Sequence, residues 1–318
     1  MRGLKKISVL FVGVGSIAKR HIKNLSKICK YYHIKLFIDL LRSGYGATLP
    51  SEIEVLIRRV YRNIDDVPAE YDILFITNPT SMHFKSILAL HSRTKNFFIE
   101  KPLITAAQLP AWENIKIHLP GIVYVACPLR YTRVIQYLKE HISPQKVISV
   151  RCISSSYMPA WRPGQDYKNT YSAKKELGGG VSIDLIHEWD YITYLFGFPD
   201  CVHSFVEKVS DLDIDSDDLA VYIGRYSDKI VELHLDYFGR INRREVEVFT
   251  DNGVIVGDLV KGEVRYLCED RTVILREQRD AYQERELEHY LRLISGEKLE
   301  YNNLTNAIKT IRLAVGAI

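Results

Sequence analysis

Four stretches of the chain carry residues whose types and spacing suit chemistry. Gly13-Val14-Gly15-Ser16-Ile17-Ala18 follows a strand-like run and opens a helix-like one. In that setting a GxGxxA pattern makes a phosphate site: Gly13 permits the tight turn, Gly15 lets a pyrophosphate approach the backbone, and Ala18 allows close helix–strand packing. The helix start, with Ser16 and Ile17, offers N–H groups to phosphate oxygens. Asp39, about two dozen residues after Gly15, has the spacing of a carboxylate that takes the adenosine ribose. It favours NAD, because a carboxylate repels the extra phosphate of NADP. Arg42 has the reach to meet that phosphate and keeps NADP open. The competing account makes the glycines a structural turn and Asp39 a surface cap.

Thr77-Asn78-Pro79-Thr80-Ser81-Met82-His83 ends a further strand, at the edge where ligands collect in open parallel sheets. Thr77, Asn78, Pro79 and His83 are cofactor candidates from it, although His83 also fits as a packing residue. Glu100-Lys101-Pro102 closes another strand. Lys101 there can hold the oxygen of an alcohol–ketone pair, and the proline restricts the backbone before it. A surface lysine at a strand end is the competing reading.

The fourth stretch is GGGVSIDLIHEWDY, from Gly178 to Tyr191. Asp184, His187 and Asp190 are each three apart, which on one helix gives them a shared face. A histidine beside a carboxylate can exchange a proton while a nicotinamide exchanges hydride. Buried packing hydrogen bonds explain the same residues, and a metal pair is a third reading; no zinc pattern accompanies it. The loop before this helix adds Tyr157, Trp161, Arg162, Asp166, Tyr167 and Tyr171 as substrate candidates. Arg162 suits a carboxylate or phosphate, and the aromatic side chains suit a sugar ring or a small core.

The elements that must position these groups follow from hydrophobic periodicity. Strands are expected at Lys6–Val12, Ile34–Asp39, Ile73–Thr77, Asn96–Glu100 and Gly121–Ala126, and helices at Ser16–Cys29, Glu52–Val60 and Ser81–His91. Such βα units imply a parallel sheet flanked by helices. Beyond Leu129 the character changes: a helix at Thr132–His141, a strand-rich Lys146–Ser154, the long loop, and a helix at Val181–Leu195. Several β-rich runs between His203 and Glu277 then suggest an antiparallel or mixed sheet. Helices at Glu284–Ile294 and Asn303–Ala317 close the chain. The expected fold is α/β, with a Rossmann domain over 1–125 and a substrate-binding and oligomerisation domain over 126–318.

At 318 residues the chain is long for one hydrophobic core. It is 47% hydrophobic and 26% charged, an ordinary globular balance. A net charge of +4 without a basic block gives no nucleic-acid signature. The N-terminal apolar run is too short to span a bilayer, so no membrane partner is expected. Five scattered cysteines form neither a zinc nor a disulfide pattern, which points to a reducing, cytoplasmic setting.

Taken together, the opening glycines, TNPTSMHF, EKP and GGGVSIDLIHEWD resemble the Gfo/Idh/MocA family, the glucose–fructose oxidoreductase and inositol dehydrogenase-like proteins, over nearly the whole chain. The resemblance implies an N-terminal Rossmann domain and a C-terminal α/β domain on a large, mostly antiparallel sheet, assembled as homodimers or homotetramers. It gives Lys101 a place near nicotinamide and substrate, makes His187 the proton donor or acceptor, and makes Asp184 its acidic neighbour. Family members usually space that aspartate and histidine four apart with a glycine between; here they are three apart and Ile186 intervenes. Arg130 resembles an arginine of the segment after the Rossmann domain, with Pro128 where many relatives have asparagine. WRPGQDY followed by GGGVSIDLIHEWDY is similar to members from bacterial surface-polysaccharide or nonulosonate pathways. The implied activity is reversible hydride transfer at a hydroxyl/keto carbon of a sugar, sugar acid or nucleotide-linked sugar, using NAD(H) or NADP(H). Redox-assisted elimination or glycoside cleavage with recycled NAD, and a non-catalytic dinucleotide or sugar sensor, are the alternatives.

Overall fold

In a computed structural model, which describes residues 3–44, 48–68, 70–115, 117–142 and 145–316, the opening apolar run forms β1 (Lys6–Val12). The glycine turn leads into α1 (Ser16–Tyr31), then β2 (Lys35–Leu41). A short α2 (Ser51–Glu54) precedes β3 (Ile57–Tyr61), β4 (Tyr71–Ile76), α3 (Thr80–Leu90), β5 (Thr94–Ile99), α4 (Leu109–Asn114) and β6 (Val123–Val125). The six strands form one parallel sheet in the order β3-β2-β1-β4-β5-β6. β1, β4 and β5 are buried almost throughout, which is why they read as continuous apolar runs rather than alternating ones.

One expected helix is not there. Of the segment Glu52–Val60 only its first residues are helical, and Ile57–Tyr61 pairs with β2 as a parallel edge strand. Ile53, Leu56, Ile57 and Val60 fit a helical period, but a β-branched and aromatic run finds a better partner in the unpaired edge of β2.

The second part of the chain begins with α5 (Arg133–Ile142) and β7 (Val147–Tyr157). Short 3-10 turns punctuate the loop that follows. Then come α6 (Val181–Asp184), α7 (His187–Phe196), β8 (Cys201–Glu207), β9 (Leu219–Arg225), β10 (Ile230–Asp236), β11 (Phe238–Thr250), β12 (Gly253–Asp258), β13 (Glu263–Tyr266) and β14 (Arg271–Ile274). These eight strands form a sheet ordered β14-β13-β12-β11-β7-β10-β9-β8. Only β7 and β10 run parallel; every other neighbour is antiparallel. Residues of α7 bury one face of it: Trp189 meets Tyr222 edge-on at 5.4 Å, and the Tyr191 hydroxyl lies 3.1 Å from the Cys152 sulfur.

The chain closes with α8 (Ala281–Ile294) and α9 (Leu304–Ala314); the expected end of the last helix, Ala317, lies outside the described residues. The chain divides into two compact units, Met1–Ala126 with Asp280–Ile308, and Cys127–Arg279 with Lys309–Ile318. The first unit thus takes in α8 from late in the chain as well. Tyr290 packs against Phe98 and Tyr124 at ring separations of 5.3 and 5.5 Å, and Lys27 pairs with Glu284 at 2.7 Å. Through Tyr290, α8 packs on the aromatic side chains Phe75, Phe98 and Tyr124 of β4, β5 and β6. Among the described residues no helix is long and apolar enough to cross a membrane.

Candidate active site

In the first unit the glycine turn has the shape its sequence demands. Gly13 has φ +85°, and a Cβ there would lie 2.7 Å from the Asn78 Cα, so only glycine lets the β1 and β4 ends approach this closely. Above Gly15 the space is open, and no side chain caps α1. Its first-turn N–H groups, on Ser16 and Ile17, face a position suited to a phosphate. The residues present thus fit a dinucleotide. Thr77 Oγ1 donates to the carbonyls of Val12 and Gly13 at 3.0 and 3.1 Å, bracing the turn, and Pro79 leads into α3.

Asp39, His83 and Glu100, which joins them as a cofactor candidate at the end of β5, are each engaged within the fold. Asp39 sits within β2 rather than at its end, is 0% exposed, and accepts from Arg58 Nε and Nη2 at 2.9 and 2.6 Å and from the Tyr71 hydroxyl at 2.7 Å. It fastens β3 and β4 to β2. His83 is buried; its Nδ1 lies 3.1 Å from the Pro102 carbonyl and 3.2 Å from that of Leu103, and its Nε2 lies 2.8 Å from that of Asn78. It is a strut between the turns after β4 and β5. Burial pushes its pKa down, against the raising effect of those carbonyls. Glu100 pairs with His21 at 2.5 Å. This anchors the strand end beside Lys101, which is half-buried and joined to Pro102 by a cis peptide.

Two predictions follow from these roles. Asp39→Asn leaves Arg58 and Tyr71 poorly matched and is expected to cost about 1–3 kcal/mol in unfolding free energy, while NADH affinity by calorimetry changes less than about threefold, since no direct contact is lost. A collapse of NADH affinity in a folded protein would restore the ribose role. For Glu100, burial raises the carboxyl pKa, but the His21 hydrogen bond and the charges of His21 and Lys101 outweigh it and hold the group below its usual value. A depressed folded pKa stabilises above the unfolded value, about 4.3, and that stability is lost as pH falls through the folded value. The melting temperature is expected to drop on acidification below about pH 4.3 and to do so less steeply in Glu100→Gln; equal slopes would remove the pair from the account.

In the second unit the expected helix over Val181–Leu195 breaks at Leu185–Ile186. Asp217 caps its first piece, accepting from the Ser182 N–H at 2.8 Å, and the Gly179 backbone presses against the Tyr171 and Ser172 carbonyls, leaving no room for a side chain. Asp184 ends α6 while His187 starts α7, and one continuous helical face does not join them. The two Asp184 oxygens accept from the hydroxyls of Tyr171 and of Tyr237, the latter at 2.6 Å. Burial first, then Asp184, drives the Tyr237 pKa well above its usual value, so it stays a donor. His187 is half-buried at its helix start.

Asp190, the third member of the spacing pattern, instead holds Arg130. Arg130 Nε and Nη2 donate to its two oxygens at 2.9 and 2.8 Å, both residues are buried, and the guanidinium stacks on Tyr194 at 5.1 Å. Arg130 thus clamps the turn before α5 to α7. Burial raises the Asp190 pKa and Arg130 only partly offsets it.

The loop residues divide similarly. Asp166 caps a 3-10 turn, accepting from the Lys168 N–H and the Asn169 amide at 3.1 Å each. Tyr167 tethers the loop by accepting from the Asp213 N–H at 3.2 Å. The Trp161 ring meets Tyr237 edge-on at 5.1 Å and its N–H donates to Ser156 at 2.9 Å. Tyr171 and Arg162 remain exposed. Tyr157 ends β7 under the Arg240 guanidinium, 3.7 Å from its ring. Tyr237 and His21 went unremarked in the sequence because each lay in a run explained by strand or helix periodicity, and Asp217 because it stands in an acidic connection between two β-rich runs.

A parallel sheet with a glycine turn at a helix start, followed by a large, mostly antiparallel sheet, has the architecture of a two-part dinucleotide-binding protein. Residues 7–117 match the model of the oxidoreductase family with an NAD-binding Rossmann fold, and residues 135–256 match the GFO/IDH/MocA C-terminal domain. The chain belongs to the Gfo/Idh/MocA oxidoreductase family.

It is 24% identical over 195 residues, 61% of this chain, to an uncharacterized oxidoreductase, YrbE, of Bacillus subtilis (strain 168), and the match spans only 54% of that relative. Among solved structures it is similar to the apo form of levoglucosan dehydrogenase, with a TM-score of 0.82, 16% identity, and 98% and 96% of the two chains covered. It is also similar to the UDP-N-acetylglucosamine 3-dehydrogenase GnnA of Acidithiobacillus ferrooxidans, with a TM-score of 0.74, 19% identity and the same coverage. The WlbA dehydrogenase of Bordetella pertussis, in complex with NADH and UDP-GlcNAcA, follows at 0.75 and 16%, over 98% and 95%. At these identities the likeness is one of fold.

Proposed function

We propose that this protein oxidises or reduces a hydroxyl/keto carbon of a sugar, sugar acid or nucleotide-linked sugar. The observation that carries the reading is the phosphate-ready turn at Gly13–Gly15, open above Gly15 and uncapped at α1, in a domain of the NAD-binding Rossmann family. The chemistry supplied by bound nicotinamide is hydride exchange. The backbone N–H groups of Ser16 and Ile17 hold phosphate oxygens, and Lys101, at the ligand-collecting end of β5, steadies the negative charge that develops on the reacting oxygen. His187 exchanges the hydroxyl proton. Asp184 acts through Tyr171 and Tyr237, fixing the loop whose Tyr171 and Arg162 contact the sugar. A sugar substrate is supported by the solved relatives, whose names include levoglucosan and UDP-N-acetylglucosamine dehydrogenases.

We place the protein in the cytoplasm, as a homo-oligomer, in the making of surface sugars. The support is the scattered free cysteines, three of them buried, the family resemblance, and the WRPGQDY loop. The test is a panel of sugars, sugar acids and nucleotide sugars read by gain or loss of reduced-nicotinamide absorbance. Turnover with any class member supports the reading. Saturable cofactor binding with no turnover across the panel would sink it.

A further inference from the structure

Arg244, in the second unit, is a guanidinium that neither hydride nor proton exchange uses, and its role as inferred below rests on the protein acting on a sugar. Glu188 follows His187 in the first turn of α7 and is 0% exposed. The Arg244 Nε lies 2.7 Å from its carboxylate. Arg244 stands on β11 opposite Ser154 of β7, in the same strand rows as Val246 and Cys152, which are closed beneath α7. Two residues the other way along β7, Ser156 takes the N–H of Trp161 from the long loop. Arg244 therefore marks the place where the covered sheet face gives way to the loop, beside the start of α7.

A guanidinium carries five N–H donors. Here Nε is buried against Glu188, whereas the two terminal nitrogens reach solvent and donate to no described residue; 26% of the side chain is open. A buried ion pair repays little more than the desolvation it costs, so stability is a poor reason to keep one. What Glu188 does is fix the guanidinium with its outer fork on the open side. We propose that Arg244 anchors a carboxylate carried on the sugar, so that the substrate is a sugar acid. The two terminal nitrogens meet the two carboxylate oxygens side by side. One guanidinium, already balanced by Glu188, suits a monoanion better than a phosphate dianion. Because Glu188 adjoins His187 in the chain, an acid held here keeps the neighbouring ring carbons close to the imidazole that exchanges the proton.

Calorimetric titration in the presence of NADH decides this, with glucuronate against glucose and glucose 6-phosphate, and UDP-glucuronate against UDP-glucose. Each acid is expected to bind about tenfold or more tightly than its neutral counterpart, the worth of a hydrogen-bonded charge pair. Arg244→Lys keeps Glu188 neutralised but loses the fork, and is expected to lower that acid-to-neutral ratio by about fivefold or more while affinity for the neutral sugars holds. Arg244→Met with Glu188→Gln removes both charges together, which spares the fold, and is expected to abolish the preference. An arginine that only held the fold would lower both members of each pair alike. Equal binding of acid and neutral sugar, binding of no probe, or a preference that neither variant moves overturns the subsite. Tighter binding of glucose 6-phosphate than of glucuronate overturns the carboxylate. Preference for the acids without turnover of any sugar upholds the subsite and sinks the redox reading; turnover of neutral sugars without that preference does the reverse.

Discussion

Replacing His187 by alanine is expected to cut turnover by about 100- to 10,000-fold, the usual worth of a positioned general acid–base group, while NADH affinity stays within about threefold because the dinucleotide turn belongs to the other unit. The break at Leu185–Ile186 explains why this residue and not Asp184 is the one to remove. His187 begins a helix of its own, half-buried, whereas both Asp184 oxygens already accept from tyrosines. The measurement pairs steady-state turnover on the best sugar of the panel with a calorimetric titration of NADH. A drop in turnover with cofactor affinity intact matches the proton-exchange role. Unchanged turnover removes His187 from the chemistry. Asp184→Asn gives the contrast: it loosens Tyr171 and Tyr237, so its effect falls chiefly on KM, through the loop.

Arg130→Ala is expected to destabilise the protein by about 3–5 kcal/mol, because it leaves the Asp190 carboxylate buried and without the partner that neutralises it. The effect should depend on pH in a definite direction. Burial already raises the Asp190 pKa, and Arg130 is the group that opposes the rise. Without Arg130 the folded-state pKa climbs further above the unfolded value, so the native state binds the extra proton and gains stability as pH falls. The deficit of Arg130→Ala relative to the parent is therefore expected to shrink between pH 7 and pH 5, read from urea unfolding at each pH. A substrate-binding arginine would behave otherwise: its loss would raise KM with little change in unfolding free energy.

These two expectations come from different depths of the molecule. Local rules written into the chain determined much of it. Alternating apolar and helical runs place β1, α1, β2, β4, α3 and β5 within a few residues, because buried parallel strands and amphipathic helices have distinct periods. The glycine turn at 13–15 was legible for the same reason: a positive φ and a close backbone approach admit one residue type. The family resemblance was legible too, since it rests on motifs and not on contacts.

Only the tertiary structure decided what the polar residues do. Asp39, His83, Glu100, Arg130 and Asp166 all stood at spacings suited to ligands, and each is instead held by a group far away or by its own turn: Arg58 and Tyr71, backbone carbonyls, His21, Asp190, and the Lys168 N–H. The single helix expected to carry Asp184 and His187 is instead two, broken at Leu185–Ile186, and Asp217, some thirty residues on, caps the first of them. The edge strand β3 displaced a helix because β2 had a free side to pair. Periodicity reports which face of an element is buried, and a motif reports what the backbone allows. A buried charge answers to whichever opposite charge or donor folding brings within 3 Å, and that partner is set by topology, not by spacing along the chain.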